Sequence, residues 1–377
     1  MTTSGPHPPH RPERDRIRHA RRAPARPSAL LALLFELGIQ PPGEPRFHLV
    51  SRWAAKHVWR VDVAGEPWAF VRYLLGSADQ FPERWRHLRL GELLFEARVG
   101  PRILGMTDAS EALGGRAAII EAALRPISRH ELEARAQEAI ALFTRLHSNP
   151  LLHEALSQER TEADRRGLGP LARFITETHE RWFEAVVPRW LEVGLDEINV
   201  LRQVVSELLS RLDRVEKATG HLGIVVPVHG DPNHGNFMVN RQGALRMIDF
   251  EELSLNNPVA DLGVFLTWYV DTEHHRALLE TYPLASPDAV LNRMRVWVPV
   301  RYLNIAAHWA ARLTRAHDED AWAFALSSVD EWLRSACELL YDGVVPTHLD
   351  DALTGLQQSL AHRGPLHPDG SRPARWR

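Results

Sequence analysis

The sequence lacks the features of disulfide-bonded, zinc-binding and membrane-spanning proteins. Its 377 residues include one cysteine, Cys337, which excludes an internal disulfide and a cysteine-based zinc site. The helical pattern around Cys337 predicts a buried structural thiol. No apolar run approaches the roughly 18 residues that a membrane span requires, and the N-terminus lacks the apolar core of a secretory signal. We therefore expect a cytoplasmic protein without a membrane span.

The chain also lacks a large excess of charge of one sign. The formal net charge is -3, which argues against a nucleic-acid binder because a phosphate backbone calls for a clustered positive field. A composition of 44% hydrophobic and 25% charged residues is ordinary for a globular protein with a sizeable core. The length fits either one two-lobed enzyme or two domains.

Large apolar groups are scarce at both ends of the chain. Residues 1–28 and 363–377 are rich in proline, arginine and histidine. Such segments bury too little surface to offset their ordering entropy, so we predict disordered tails. Between them, strand-like segments with a "VAGEPW" turn predict a β-rich lobe over 29–121. Apolar residues at three- and four-residue steps predict a helical lobe over 122–362, so the fold class is α+β with two lobes.

One short β island interrupts the helical part and carries polar residues that strands rarely tolerate. It reads "VPVHGDPNHGNFMVN" from Val226 and continues to "ALRMIDF". Two strands around the turn "NRQG" predict a hairpin that brings Asp249 beside Asn236, with Asp231 on the preceding loop. Oxygen ligands with few carboxylates suit magnesium, which takes its other ligands from water and phosphate. A carboxylate there can accept a proton from an attacking hydroxyl.

These residues resemble the catalytic loop and metal-binding motif of kinases. His229, Gly230, Asp231 and Asn236 match H-G-D-x-x-x-x-N, and "IDF" over 248–250 matches the second motif. The H-G-D form resembles the aminoglycoside phosphotransferase and choline kinase superfamily. The resemblance implies a two-lobed protein-kinase-like fold and a small-molecule kinase that uses ATP and Mg²⁺.

Two flanking segments strengthen the resemblance. Asn257, Pro258, Asp261 and Leu262 resemble the segment that follows the metal aspartate in this superfamily, and "ALFTRLHS" resembles its leucine-histidine helix end. Asp261 is expected to be structural, as a cap of the helix that follows.

The resemblance implies a role for each residue of the motifs. Asp231 would be the catalytic base that orients the acceptor hydroxyl. Asn236 and Asp249 would hold magnesium on the β- and γ-phosphates. His229 would complete the catalytic loop, as a scaffold rather than as an acid or base. Catalysis in such sites consists mostly of positioning and charge neutralisation.

The N-terminal part departs from the family pattern. Arg72 stands where the family has a phosphate-binding lysine, and an arginine can bind phosphate with a fork of donors. An exposed strand residue is the alternative. Its expected glutamate partner is Glu83, with Glu92 as the alternative. The phosphate-covering turn "SRWAAKHVW" has no glycine, and Lys56 is its candidate phosphate-binding charge, with a solvated lysine as the alternative.

The segment "AIIEAALRP" resembles the linker between the lobes of such kinases. We expect backbone groups around Glu121 and Ala123 to meet the adenine ring.

The acceptor is predicted from the residues that follow the motifs. "IDFE" and "ARVGPRILG" resemble the choline and ethanolamine kinase branch. Trp268, Tyr302 and Trp309 are candidates to bind a quaternary ammonium through cation–π attraction, and Glu251 is a candidate to meet it with a carboxylate. An aminoglycoside, a sugar or another natural-product alcohol is the alternative acceptor. A catalytically silent, kinase-like binding protein is the alternative from another class.

Overall fold

The computed structural model describes residues 24–52, 56–80, 85, 88–157, 170–219, 223–316 and 318–365. Most of the two predicted tails lies outside these ranges. The first helix begins at Pro27, so its first two residues lie inside the predicted N-terminal tail, and the last helix ends at Arg363, the first residue of the predicted C-terminal tail.

The order of the strands and helices agrees with the predicted change from a β-rich to a helical segment. The strands are β1 (Pro45–Arg52), β2 (Lys56–Val63), β3 (Glu66–Leu74), β4 (Ile103–Ser110), β5 (Arg116–Ala122), β6 (Arg125–Pro126), β7 (Val226–Val228), β8 (Phe237–Val239), β9 (Leu245–Met247) and β10 (Ser254–Asn256). The helices are α1 (Pro27–Glu36), α2 (Gly91–Glu96), α3 (Arg129–Glu133), α4 (Ala136–His147), α5 (Pro150–Ser157), α6 (Pro170–Glu180), α7 (Val187–Glu192), α8 (Ile198–Thr219), α9 (Val259–Tyr269), α10 (His275–Leu279), α11 (Pro287–Leu313), α12 (Glu319–Leu340) and α13 (Thr347–Arg363). A π-helical turn, Arg181–Val186, lies between α6 and α7.

The chain divides into two compact units that are not continuous in sequence. The first unit comprises the residues up to Ala134 together with Asn233–Leu253, and the second comprises Arg135–Pro232 and the residues from Ser254 onward. The short hairpin therefore groups with the N-terminal residues, although it lies inside the predicted helical lobe of 122–362. The exact lobe boundaries stay a prediction.

The first unit is built on a five-stranded antiparallel sheet in the order β1-β2-β3-β5-β4. A two-residue turn joins β2 to β3, and both of its residues, Ala64 and Gly65, have positive φ, as a tight hairpin turn requires. The predicted strands and the "VAGEPW" turn are thus confirmed.

The two faces of this sheet have different chemistry because successive side chains alternate between them. One face packs on α1 and forms an apolar core. The core includes Leu30, Leu33, Leu34, Trp59, Val61, Val71, Tyr73, Ala118 and Ile120. The strand register places Val58 opposite Arg72 and Phe70 opposite Glu121. Lys56, Arg72 and Glu121 therefore share the face away from this core.

The predicted hairpin is present in the first unit as β8 and β9, with β6 on its other side. The Asn240 side chain accepts hydrogen bonds from the N–H groups of Gln242 and Ala244. Gly243 has φ 78°, a left-handed conformation that favours glycine. The local chemistry of "NRQG" therefore closes the turn, as the sequence predicts.

The second unit is helical apart from the two-stranded sheet of β7 and β10. Its longest described helix, α11, contains Pro299 and is held at two points by tryptophan indoles. The Trp182 indole donates to the carbonyl of Leu303, and the Trp190 indole donates to that of Ala310. Buried donors of this kind fix the contact between helices, because each would otherwise lose its partner.

Cys337 is fully buried on α12. Burial, with smaller opposing and reinforcing charge effects, raises the pKa of its thiol to about 12. A thiol with so high a pKa is protonated and unreactive at neutral pH, which confirms the prediction of a structural cysteine.

None of the helices in the described ranges combines the length and the apolar character that crossing a membrane would take.

Candidate functional site

In the second unit, the loop after β7 is fixed by a buried carboxylate. Asp261 is fully buried in the first turn of α9. Its Oδ2 accepts from the His229 N–H at 2.7 Å, and its Oδ1 accepts from the Gly230 N–H at 2.9 Å. Gly230 has φ 85°, which other residues rarely adopt. One carboxylate therefore satisfies two successive backbone donors and sets the path of the chain into Asp231.

The same carboxylate is held from behind by a histidine. His147 Nε2 lies 3.0 Å from Asp261 Oδ2, and His147 Nδ1 lies 2.9 Å from the Tyr282 hydroxyl. Burial acts to raise the pKa of Asp261, but the hydrogen bond and charge of His147, the charge of His229 and the Gly230 N–H together lower that pKa below its usual value. Asp261 is therefore held as a carboxylate.

The predicted capping role of Asp261 is wrong. The N-cap position of α9 is Pro258, and the Asp261 carboxylate binds the loop instead. The contact between His147 and Asp261 joins the two segments that strengthened the family resemblance, which are the leucine-histidine helix end and the segment after the metal aspartate.

His229 is completely buried. Its Nδ1 accepts the Asp231 N–H at 3.2 Å, so the ring supports the backbone of the residue that carries the candidate base. This contact fits the predicted scaffold role, and the place of His229 in the catalytic loop stays a prediction.

Asp231 itself presents a partly exposed carboxylate. Its Oδ1 accepts from Nη2 of Arg301 at 3.0 Å, and the Arg301 side chain is 17% exposed. The sequence patterns gave Arg301 no role in the site. Its contact with Asp231 joins residues 70 positions apart, and helical periodicity does not predict which loop a helix residue meets.

In the first unit, the hairpin brings the metal candidates of the two motifs together. The Ile248 N–H donates to the Asn236 carbonyl at 2.9 Å, and the Met247 N–H donates to that of Val99 at 2.8 Å. Asn236 is buried and Asp249 is about half exposed. Asp231 belongs to the second unit, so the predicted convergence of Asp231, Asn236 and Asp249 stays a prediction.

Asp249 has an unusual backbone conformation. Its φ and ψ are 64° and 56°, the left-handed region that costs most residues free energy and that aspartate tolerates better than most. Residues held in such conformations cluster at functional sites. The backbone turns at Asp249 into the short 3₁₀ segment Phe250–Glu252.

Asp249 lines a pocket of about 240 Å³ that lies within the first unit. Its charged lining residues are Lys56, Arg72, Glu121, Asp249 and Glu251. Its other lining residues are Leu74, Leu88, Gly91, Leu94, Pro101 and Phe250. The pocket therefore combines apolar walls with a few charged groups, as ligand pockets commonly do.

Lys56 is the cation of this pocket that is nearest to Asp249. Its Nζ lies 3.6 Å from Asp249 Oδ1 and contacts the Glu251 carboxylate, and its side chain is only 12% exposed. The alternative of a solvated lysine is therefore wrong. The contact of Lys56 with phosphate stays a prediction, and the position of Lys56 in the pocket supports it.

Arg72 pairs with a residue that the sequence assigned to another role. Its Nε lies 2.7 Å from Glu121 Oε2, and both side chains are largely buried. The diagonal register of β3 and β5 brings them together on one sheet face. Glu92, the alternative partner, is exposed on α2, and Glu83 lies outside the described residues. Among the described residues, the partner of Arg72 is therefore a glutamate on a strand and not the expected glutamate on a helix.

The predicted adenine contacts near Glu121 and Ala123 also need correction in part. The Glu121 side chain pairs with Arg72, and contact of the Glu121 backbone with the adenine ring stays a prediction. The Ala123 N–H donates to the Trp68 carbonyl at 2.9 Å, so this donor is used inside the protein and is not directed at a ligand.

The candidate acceptor aromatics form two separate clusters in the second unit. The Trp268 indole donates to the Tyr302 hydroxyl at 3.1 Å, and Trp332 packs against both rings. Trp309 lies on the same helix as Tyr302, but it packs against Phe324 and lies under the Arg312 guanidinium. Tyr302 and Trp309 therefore contact different neighbours and do not share one set of ring contacts.

The predicted contact of Glu251 with an ammonium also meets a competing partner. In the first unit its carboxylate contacts Lys56. The predicted acceptor roles of Glu251, Trp268, Tyr302 and Trp309 stay predictions.

The residues that the structure describes contain no cluster of three or more histidine, cysteine, aspartate or glutamate side chains placed to hold a metal ion. A hard cation such as Mg²⁺ does not need such a cage, since one or two protein oxygens and substrate phosphates suffice. The half-exposed Asp249 carboxylate, in a pocket that also contains Lys56, fits that mode of binding.

A scan against protein-family models matched residues 49–297 to the model of the phosphotransferase enzyme family. The chain belongs to the phosphotransferase enzyme family. The matched segment of this family member contains both motifs, Lys56, Arg72 and Asp261. A comparison with curated protein sequences found no significant match.

Solved structures of low sequence identity share the fold of this family member. Plasmodium vivax ethanolamine kinase is 13% identical with a TM-score of 0.55, covering 82% of this chain and 89% of the kinase. The GDP complex of wild-type aminoglycoside 2′-phosphotransferase-IIIa is 15% identical with a TM-score of 0.56, covering 82% and 98%. Choline kinase LicA from Streptococcus pneumoniae is 14% identical with a TM-score of 0.51, covering 78% and 94%. The predicted α+β, protein-kinase-like fold is confirmed.

Proposed function

We propose that this member of the phosphotransferase enzyme family transfers the γ-phosphate of ATP, with Mg²⁺, to a hydroxyl group of a small molecule. One observation carries the proposal. In the first unit, Asp249 has a left-handed backbone conformation and its carboxylate lines a pocket. The same carboxylate lies 3.6 Å from Nζ of the largely buried Lys56. A carboxylate and a cation so placed serve a metal–phosphate ligand, because each complements one part of it.

The residues take the following roles in the proposal. Asp249 and Asn236 would hold magnesium, which neutralises charge on the β- and γ-phosphates when it is bound. Asp231 accepts the proton of the acceptor hydroxyl and orients its oxygen. Asp261 and His229 fix the backbone that carries Asp231. Catalysis in this proposal comes mostly from the placement of these groups, because phosphoryl transfer depends on alignment and charge neutralisation.

Lys56 takes the phosphate-binding role that the sequence assigned first to Arg72. The Arg72 charge is compensated by Glu121 at 2.7 Å within a largely buried pair. Lys56, from the neighbouring strand, is next to the metal candidate. Its contact with Glu251 opens when nucleotide binds, because a phosphate carries more negative charge than one carboxylate. Arg72 and Glu121 then form the structural wall of the pocket.

The acceptor class is the finer part of the proposal. The sequence favours an amino alcohol such as choline or ethanolamine, and fold similarity to an ethanolamine kinase and a choline kinase supports it. Similarity to an aminoglycoside phosphotransferase supports the alternative equally. The cytoplasmic location stays a prediction of the sequence alone.

The test is an acceptor screen with ATP and Mg²⁺, read by mass spectrometry as addition of one phosphoryl group to the acceptor. Choline, ethanolamine, kanamycin and neutral sugars form the panel, and Asp231→Asn is the matched inactive control. Phosphorylated product with the parent protein and none with the variant supports the proposal. ATP binding without product on any acceptor would favour the kinase-like binding protein.

A further inference from the structure

The backbone and the side chain of Asp231 are held by different residues of the second unit. His229 Nδ1 accepts the Asp231 N–H at 3.2 Å and so fixes the backbone of the loop. A fixed backbone still leaves the side-chain torsions of an aspartate a choice of several wells. Arg301 restricts that choice, because its Nη2 donates to Asp231 Oδ1 at 3.0 Å. The orientation of the candidate base therefore depends on a residue of α11.

The turn of α11 that carries Arg301 is itself anchored. The Trp182 indole, in the π-helical turn, donates to the Leu303 carbonyl at 3.0 Å. Asn304 Nδ2 donates to the hydroxyl of Thr178 on α6 at 2.6 Å. The side chains that make these two contacts are buried, and a buried donor that loses its partner is costly, so the contacts resist movement of the helix. Arg301 therefore reaches Asp231 from a helix segment with a fixed position.

Burial distinguishes the Arg301 contact from an exposed ion pair of the same helix. The side chains of Arg301 and Asp231 are 17% and 30% exposed, whereas those of Arg295 and Asp342 are 53% and 66% exposed. Exposed pairs are screened by water and contribute little, while a partly buried charged hydrogen bond holds its geometry more strongly. We therefore expect the contact of Arg301 with Asp231 to persist in solution and that of Arg295 with Asp342 to be dispensable.

An arginine can orient a general base without competing for the proton that the base accepts. A guanidinium is not deprotonated in proteins, so Arg301 gives no proton to Asp231 and takes none from it. An ionised carboxylate has about four lone-pair sites on its two oxygens, so it can accept from Arg301 and from an acceptor hydroxyl together. The base must lie within roughly 3 Å of that hydroxyl, and a misplacement of about 1 Å can lower a rate by about 10²-fold. The orientation that Arg301 imposes therefore bears directly on proton transfer.

We propose that Arg301 is a positioning residue for phosphoryl transfer, which holds the Asp231 carboxylate in the orientation that accepts the proton of the acceptor hydroxyl. This inference rests on the proposed function. In the transfer, the acceptor oxygen forms a bond to the γ-phosphorus as the bond from that phosphorus to the β,γ-bridging oxygen breaks, and ADP leaves with the electron pair of that bond. The hydroxyl proton moves to Asp231, and Arg301 keeps its protons and its charge throughout.

The test compares Arg301→Gln and Arg301→Lys with the parent protein, using Mg-ATP and the most active acceptor among choline, ethanolamine, kanamycin and neutral sugars. Arg301→Gln should lower kcat by roughly 10- to 100-fold. The KM values for ATP and for the acceptor should change by less than about threefold, because the contact acts on the base and not on bound substrate. Arg301→Lys keeps a charge and a donor but lacks the planar fork, so its kcat should exceed that of Arg301→Gln by about threefold or more and stay below that of the parent. Arg295→Gln, the same change at the exposed pair, is the control that keeps the parent kcat.

Thermal unfolding separates a positioning role from a role in folding. Arg301→Gln should shift the unfolding midpoint by less than about 4 °C, since the anchors of α11 at Trp182 and Thr178 are unchanged. An unchanged kcat in Arg301→Gln would overturn the inference, and so would a loss expressed mainly in KM. Equal losses of kcat in Arg301→Gln and Arg301→Lys would make the pair a structural tie and overturn it as well. Absence of product with the parent protein on every acceptor is a different result, because it overturns the proposed function and this inference with it.

Discussion

Arg72 and Glu121 form a largely buried ion pair across β3 and β5, with Nε and Oε2 separated by 2.7 Å. In the same pocket, Lys56 lies 3.6 Å from Asp249. The two cations of the pocket therefore have different partners. One is compensated by a glutamate of the sheet, and the other faces the metal-binding candidate.

This difference predicts that Lys56→Ala raises the KM for ATP by roughly tenfold or more, as expected when a charged phosphate contact is removed. The KM for the acceptor should change little. Lys217→Ala, at an exposed position on α8, is the matched control. Steady-state kinetics with varied ATP checks the expectation, and equal KM values for ATP in the variant and the parent would return Lys56 to a surface role.

Arg72→Met should act mainly on stability, because it leaves the Glu121 carboxylate buried without its partner. We expect a loss of roughly 3 kcal/mol in the free energy of unfolding. The double variant Arg72→Met, Glu121→Met should recover most of that loss. Urea denaturation measures both. If Arg72→Met is as stable as the parent but binds ATP weakly, Arg72 and not Lys56 is the phosphate ligand.

Asp261→Asn should weaken the loop that carries Asp231. The amide of asparagine would place an N–H₂ group against a backbone N–H or against His147. We therefore expect a loss of roughly 2–4 kcal/mol in the free energy of unfolding. Since the pKa of Asp261 is lowered in the folded state, its contribution is present above its unfolded pKa of about 3.9 and is lost as pH falls through the lower folded pKa. Parent and variant should thus differ most near pH 7 and converge in acid. A difference that grows on acidification would contradict the assignment.

Asp231→Asn should lower kcat by about 10²- to 10⁴-fold if Asp231 is the general base. The change is nearly isosteric, so thermal unfolding should show a folded protein with at most a small shift in midpoint. Product formation in the acceptor screen gives kcat. Retention of most of the parent kcat would assign the base to another residue.

The hairpin and its aspartate could be predicted because their signals are local. A polar "NRQG" turn between two short apolar runs determines the pairing of β8 and β9, and the position of Asp249 follows from it. The antiparallel strands of the first unit are predictable for the same reason.

The ion pairs could not be predicted because they join residues that are distant in sequence. Arg72 meets Glu121 only through the register of β3 on β5, where Arg72 lies opposite Ile119. Arg301 meets Asp231 through the packing of α11, 70 residues along the chain. The residue types were visible in the sequence, but the choice of partner depends on tertiary packing.

The role of Asp249 as a magnesium ligand is tested by calorimetric titration of ATP into the protein with and without Mg²⁺, and into Asp249→Ala. We expect Mg²⁺-dependent binding by the parent and a loss of that dependence in the variant, because Asp249 lines the pocket beside Lys56 and would hold the metal. The expected loss is roughly tenfold or more in affinity, as for removal of one charged ligand. Equal affinity with and without Mg²⁺, or an unchanged affinity in Asp249→Ala, would mean that Asp249 does not hold a metal for nucleotide binding.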